Sequence, residues 1–193
     1  GVFSKAQEVL EQLTVRNVVS WSALIAGYVQ HGQGHKALNC FAQMESEGLS
    51  PDCVTFACIL KACGSIGSIE KGKEIHDKIV SNGLLKKDVI LGNALVDMYV
   101  KCGVLVKARQ VFEDLEVRDV VTWNALITGF AQEGQCDEAL HYFEGMQKEG
   151  ISPNGVTFIC ILKACANTGA IDKGEQIHGM IASEGLLQKD AVL

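Results

Sequence analysis

Eight cysteines, five histidines and a series of aspartates closing short loops are the side chains of this chain that could do chemistry. A zinc site would want Cys-x-x-Cys or paired Cys and His spacings. Cys53, Cys58 and Cys63 stand five apart instead, which scatters them around a helix. Cys58, Cys63, Cys160 and Cys165 lie within apolar helical runs, so they read as free, buried thiols of a reducing compartment. His76 and His178 sit at matching places, with no recurring carboxylate or cysteine at a catalytic spacing, so each reads as a packed or capping histidine. Gly32-x-Gly34-x-x-Ala37 imitates a dinucleotide fingerprint, but it follows a helical segment where a strand is required. No metal, no cofactor and no catalytic set is expected. The loop-end residues Asp52, Asp88, Asp119 and Asp190 remain, and on the residues alone they read as acceptors capping helices.

The elements that must position these side chains follow from an internal repeat. Val18-Val19-Ser20-Trp21-Ser22-Ala23-Leu24-Ile25 returns 102 residues later as Val120-Val121-Thr122-Trp123-Asn124-Ala125-Leu126-Ile127. At that offset 50 of 91 residue pairs are identical, far beyond composition, so the chain is a repeat array. Loops ending in Asp52, Asp88 and Asp119, each before a β-branched residue pair or Cys-Val, divide the period into repeats of 35, 36 and 31 residues. The repeats are then 18–52, 53–88, 89–119, 120–154 and 155–190. Residues 1–17 form the second half of a short repeat, and 191–193 begin a further one. Each repeat reads as two helices. Trp21, Leu24, Ile25 and Tyr28 make one helical stripe, with Ser20 as its expected cap. Leu38, Phe41 and Met44 face one side of the second helix, which stops at Gly48 before Pro51. The next repeat follows the same plan, with Thr55 as cap, an interruption at Gly64 and Gly67, then Ile69, Ile75 and Ile79 up to Gly83. Gly72 inside that last helix weakens it, since an interior glycine costs about 1 kcal/mol against alanine.

Hydrophobic residues make up 48% of the chain, which suits helices buried on two sides by neighbouring repeats. No run approaches the roughly 18 uncharged apolar residues of a membrane span, so no membrane partner is expected. The net charge of −6 argues against a protein held to nucleic acid by phosphate neutralisation alone. Lys61, Lys86, Lys87, Lys101 and Lys163 are the candidates for a local basic groove.

The paired helices, the 35/36/31 alternation and the phrases Val-Val-Ser-Trp-Ser-Ala-Leu-Ile-Ala-Gly-Tyr, Asn-Ala-Leu-Val-Asp-Met-Tyr and Gly-Lys-Glu-Ile-His resemble pentatricopeptide repeat proteins. More narrowly, they are similar to the plant subfamily built from triplets of standard, long and short repeats. The resemblance covers the whole chain. It implies an all-α, right-handed superhelical α-solenoid of helix-turn-helix repeats, binding single-stranded RNA at one base per repeat. The fifth and last residues of a repeat would read the base. These are Ser22 with Asp52, Asn93 with Asp119, and Asn124 with Asn154, implying guanine, uracil and a pyrimidine (cytosine favoured), with the RNA running 5′ to 3′ from N- to C-terminus. The long repeats offer Ala57 with Asp88 and Ile159 with Asp190, whose apolar fifth residues would read little; Asn17 would close the leading half-repeat. The second residues, Val19, Val54, Ile90, Val121 and Val156, would wedge against base faces; without the resemblance they would simply pack on the neighbouring repeat.

The same resemblance places the parent protein in a mitochondrion or chloroplast, as the target-reading tract of an RNA-processing factor, typically for C-to-U editing, alongside other RNA-editing factors. The His-x-Glu and Pro-Cys-x-x-Cys of a zinc deaminase are not in this sequence, so no enzymatic activity is expected of it. Uncapped repeat ends imply fraying and self-association. The alternative is a protein–protein interaction scaffold of tetratricopeptide type. Such arrays keep a steady period of about 34 residues and a Trp-x-x-Leu-Gly-x-x-Tyr signature, where here the repeat length varies.

Overall fold

A computed structural model describes residues 17–85 and 88–183. The expectations for the leading half-repeat before Asn17, for Lys86, Lys87 and Asp190, and for 191–193 lie outside the described residues. Among the described residues there are ten helices and no strand. They are α1 Val18–Gln30, α2 Gly34–Ser46, α3 Cys53–Ile66, α4 Ile69–Ser81, α5 Val89–Lys101, α6 Leu105–Asp114, α7 Val120–Gln132, α8 Cys136–Lys148, α9 Gly155–Thr168 and α10 Ile171–Ser183. They group into two compact units, Gly1–Glu116 with α1 to α6 and Val117–Leu193 with α7 to α10.

In the first compact unit, consecutive helices form hairpins, and the first helices of successive hairpins lie against each other: α1 on α3, and α3 on α5. The apolar stripe of α1 explains its burial. Trp21, Leu24, Ile25 and Tyr28 are all buried, as are Phe41 and Met44 on α2 and Ile75 and Ile79 on α4. Each such side chain contributes roughly 1.5–3 kcal/mol relative to an exposed one. Phe41 of α2 meets Phe56 of α3 with ring centroids 6.3 Å apart. The Trp21 indole N–H donates to the Glu47 carboxylate at 3.0 Å.

The second compact unit repeats the plan. Here α7 packs on α8 and α9, and α9 on α10. Phe143 and Phe158, the counterparts of Phe41 and Phe56 one period later, form the same tilted pair at 6.1 Å.

Three sequence expectations are corrected. Ser20 and Thr55 are not the caps: α1 begins at Val18 and α3 at Cys53, so the capping side chains are Asn17 and Asp52, one turn earlier. Gly64 does not interrupt the long repeat; α3 runs through it to Ile66 and ends on Gly67 at φ 67°. Gly34 also lies within a helix, opening α2, and a β-carbon there would stand 2.6 Å from the Ile66 side chain. Both Gly34 and Gly64 are therefore sites of close helix approach, which reads the same in sequence as a turn glycine.

Candidate nucleic-acid interface

The N-terminal ends of the first helices gather the polar residues that the sequence singles out. Each of these helices is preceded by a residue in extended conformation whose side chain accepts from the free amides of the first turn. Asn17 accepts from the Ser20 amide at 3.0 Å, and Asp52 from the Thr55 amide at 2.8 Å. Asp88 accepts from the Ile90 and Leu91 amides at 2.9 and 3.3 Å. Asp119 accepts from Val121 and Thr122 at 2.9 and 3.0 Å, and Asn154 from Thr157 at 3.1 Å. Capping thus fixes where Asn17, Asp52, Asp88, Asp119 and Asn154 stand, in each case through Oδ1.

The second residues stand beside these caps and are open to solvent. Val19 is 73% exposed, Val54 61%, Ile90 63%, Val121 54% and Val156 55%. Packing on a neighbouring repeat does not account for large apolar side chains that remain this accessible.

The fifth residues differ. Ser22 and Asn124 are nearly buried, at 8% and 9%. Ala57 and Asn93 are half-buried, while Ile159 is exposed at 66%. Within each compact unit one pair is brought together. In the second, the Asn124 amide nitrogen donates to Asn154 Oδ1 at 3.1 Å, and Asn124 Oδ1 accepts from the Thr157 hydroxyl at 2.6 Å. In the first, Ser22 reaches Asp52 through Thr55: its hydroxyl is 2.6 Å from the Thr55 hydroxyl, which donates to Asp52 Oδ1 at 2.6 Å. Asp88, opposite the apolar Ala57, has the Cys53 thiol beside it. Sequence reading missed the buried role of the threonines. Thr55, Thr122 and Thr157 are fully buried polar residues, and their recurrence one turn into α3, α7 and α9 is the signal that could have exposed them.

The surroundings are electrostatically mild. Lys61 and Lys163 are exposed, and Lys101 is paired to Asp97 at 2.7 Å. Burial pushes the thiols of Cys40 and Cys63 up to about 11, and those of Cys53 and Cys58 up as well, the former also through Asp88. These four thiols are protonated at neutral pH, which removes the form that attacks or ligates. His76 is a packed residue, with Nδ1 2.9 Å from the Tyr99 hydroxyl.

Helical hairpins whose first helices carry a polar cap and an exposed aliphatic residue at fixed positions define an α-helical repeat protein. The model of the PPR repeat family matches residues 16–65 and 118–167, and that of the PPR repeat matches 54–84 and 93–120. The chain belongs to the pentatricopeptide repeat family. It is 38% identical over 182 residues to a pentatricopeptide repeat-containing protein of Arabidopsis thaliana, covering 94% of this chain and 29% of the relative. It is 46% identical over 163 residues to another from the same plant, described as mitochondrial, covering 84% of this chain and 18% of the relative. The chain thus spans less than a third of the length of these relatives. Among solved structures, it is similar to the pentatricopeptide repeat protein PPR10 in complex with an 18-nt psaJ RNA element, with a TM-score of 0.75 and 19% identity over 89% of this chain and 26% of that one. It is also similar to the PPR domain of Arabidopsis thaliana protein-only RNase P 1 in complex with tRNA, with a TM-score of 0.67 and 13% identity over 82% of this chain and 86% of that one. These two likenesses concern the fold.

Proposed function

We propose that this chain binds single-stranded RNA, one base per repeat, with the bases lying against the N-terminal ends of the first helices. The observation that carries this reading is the pairing, at each such end, of an exposed Val or Ile with a polar capping side chain, bonded through Oδ1 alone at Asp52 and Asn154. An exposed aliphatic residue offers a base face something apolar to lie on, and the cap offers its edge a hydrogen-bonding group. The RNA complexes of PPR10 and the RNase P domain lend support by fold.

The repeats 18–52, 89–119 and 120–154 read guanine, uracil and a pyrimidine through Ser22 with Asp52, Asn93 with Asp119, and Asn124 with Asn154. The repeats 53–88 and 155–190 read little, because Ala57 and Ile159 carry no polar group. The preferred order is 5′-G-N-U-Y-N-3′. Contacts of roughly 1–3 kcal/mol per base, set against an association cost of about 4–15 kcal/mol, put the affinity of this tract near micromolar or weaker. The parent protein is an organellar RNA-processing factor, with C-to-U editing as its chemistry; a mitochondrial location is supported by the names of two relatives.

Selection from a random single-stranded RNA pool tests the reading. Enrichment of G-N-U-Y-N in that polarity is the expected result. A pool without fixed bases, together with capture of a helical peptide, would point to the protein scaffold instead.

A further inference from the structure

The bonds around Thr157 can be assigned from one donor that has no alternative. The Thr157 backbone N–H points at Asn154 at 3.1 Å, so the atom receiving it is the amide oxygen. The Asn124 group facing that oxygen at 3.1 Å must then be its nitrogen, which turns the Asn124 oxygen toward Thr157. The Thr157 hydroxyl supplies the matching proton at 2.6 Å, while its contact with Asn154 Oδ1 is longer at 3.2 Å. Both amides are therefore locked: Asn154 keeps its two N–H donors unused, and Asn124 keeps one.

The same logic in the first compact unit gives the opposite outcome. The Asp52 carboxylate has no proton to donate, so the Thr55 hydroxyl donates to Oδ1 at 2.6 Å. Thr55 then has only lone pairs left for Ser22, and the Ser22 proton goes to it across 2.6 Å in competition with the Val18 carbonyl at 2.7 Å. Both bonds to Asp52 fall on Oδ1, so Oδ2 stays an acceptor.

Threonine at this place is not a requirement of shape, since valine fills the same volume. A reciprocal capping bond accounts for it only in part: Thr122 and Thr157 each accept one from the cap backbone N–H, at 3.2 and 3.0 Å, whereas Thr55 in α3 makes none. Its occurrence follows the fifth residue of the preceding repeat. Polar Ser22, Asn93 and Asn124 are matched by Thr55, Thr122 and Thr157; apolar Ala57 and Ile159 are matched by Leu91 and Leu193, the last outside the described residues.

We propose that Thr55 and Thr157, the third residues of their repeats, are positioning residues for the base-reading pair of the repeat before, each buried hydroxyl holding the fifth residue of that repeat in place beside the capping side chain. This rests on the RNA reading above. Asp52 presents an acceptor, as the N–H groups on the guanine edge require; Asn154 presents donors, as cytosine N3 and O2 require.

The test compares wild type, Thr157→Val and Thr157→Ser in the whole 193-residue chain. Two readouts are taken: the side-chain amide NMR signals of Asn124 and Asn154 without RNA, and competition among 5′-G-A-U-X-A-3′ oligoribonucleotides with X each of the four bases. In Thr157→Val the amide signals are expected to shift and the preference for cytosine over purines to fall about five- to tenfold, the worth of roughly one hydrogen bond; Thr157→Ser restores both. If wild type selects cytosine and Thr157→Val selects it equally, with unmoved amide signals, this inference fails and the RNA reading survives. If the amides shift but wild type itself selects no base, the RNA reading fails and takes this inference with it.

Discussion

Met98 occupies the notch that Gly72 leaves in α4. A β-carbon on Gly72 would stand 2.5 Å from the Met98 sulfur and 2.8 Å from its methyl group, and Met98 itself is inaccessible. The glycine inside this helix is thus where α5 comes close to α4.

Among the described residues, its counterpart one period later, Gly174, has Cys165 Cβ alone within reach, at 3.8 Å. The two copies should therefore answer the same substitution differently. Gly174→Ala gains helix propensity and should stabilise by up to about 1 kcal/mol. Gly72→Ala sets the same gain against overpacking of about 1–3 kcal/mol and should be neutral or destabilising. Urea unfolding of both variants decides it; equal stabilisation would mean that Met98 moves aside freely.

This contrast marks how far the sequence was readable. Periodicity identified the stripes of Trp21 and Trp123 and the hairpins, because burial selects for residue type at a spacing of 3.6. It misplaced the caps by one turn, because Ser20 and Thr55 are as good capping types as Asn17 and Asp52, and only backbone geometry separates the cap from the third helical residue. It also could not show that Ser22 and Asn124 are nearly buried while Val19 and Val121 are open, which reverses ordinary hydropathy. The buried threonines escaped notice because a β-branched residue near a helix start looks like packing.

His76 supplies a pH dependence. Burial holds its pKa below the ordinary 6.5; Asp77 and Asp114 oppose that shift and Lys107 adds to it. The unfolded chain then takes up this proton before the folded chain does. Stability contributed by neutral His76 is fully present above about pH 6.5 and is lost as the pH falls from there toward the lower folded value. Denaturant titrations of wild type and His76→Gln across that range should show a slope in wild type that the variant lacks. The same slope in both would assign it to other groups.

Val121 tests the wedge without disturbing the core. With 54% of its surface exposed, Val121→Ser should change stability by less than about 0.5 kcal/mol. Covering the remaining half against a base is worth about 1 kcal/mol, so RNA affinity should fall roughly fivefold. Fluorescence anisotropy with a labelled G-A-U-C-A oligoribonucleotide reads this directly. Unchanged affinity would remove the wedge from the proposed interface.

Asn154→Asp exchanges the group that the second standard repeat offers to a base while keeping everything that holds it in place. Asn154 Oδ1 accepts the Thr157 amide at 3.1 Å and the Asn124 amide nitrogen at 3.1 Å, and an aspartate oxygen can accept both. Aspartate caps helices as well as asparagine does, and its charge is favoured at a helix N-terminus, so stability should hold within about 0.5 kcal/mol. What changes is the second terminal atom, from a nitrogen with two protons to an oxygen with none. Cytosine presents an acceptor at N3 and uracil a donor, so the preferred pyrimidine should switch from cytosine to uracil, by about 1–3 kcal/mol. The variant then carries the same pair of residue types as Asn93 and Asp119. Competition between oligoribonucleotides differing only in C or U opposite 120–154 measures the switch. Equal loss for both would make Asn154 a cap and nothing more, and an unchanged preference would mean that the base lies against a different residue.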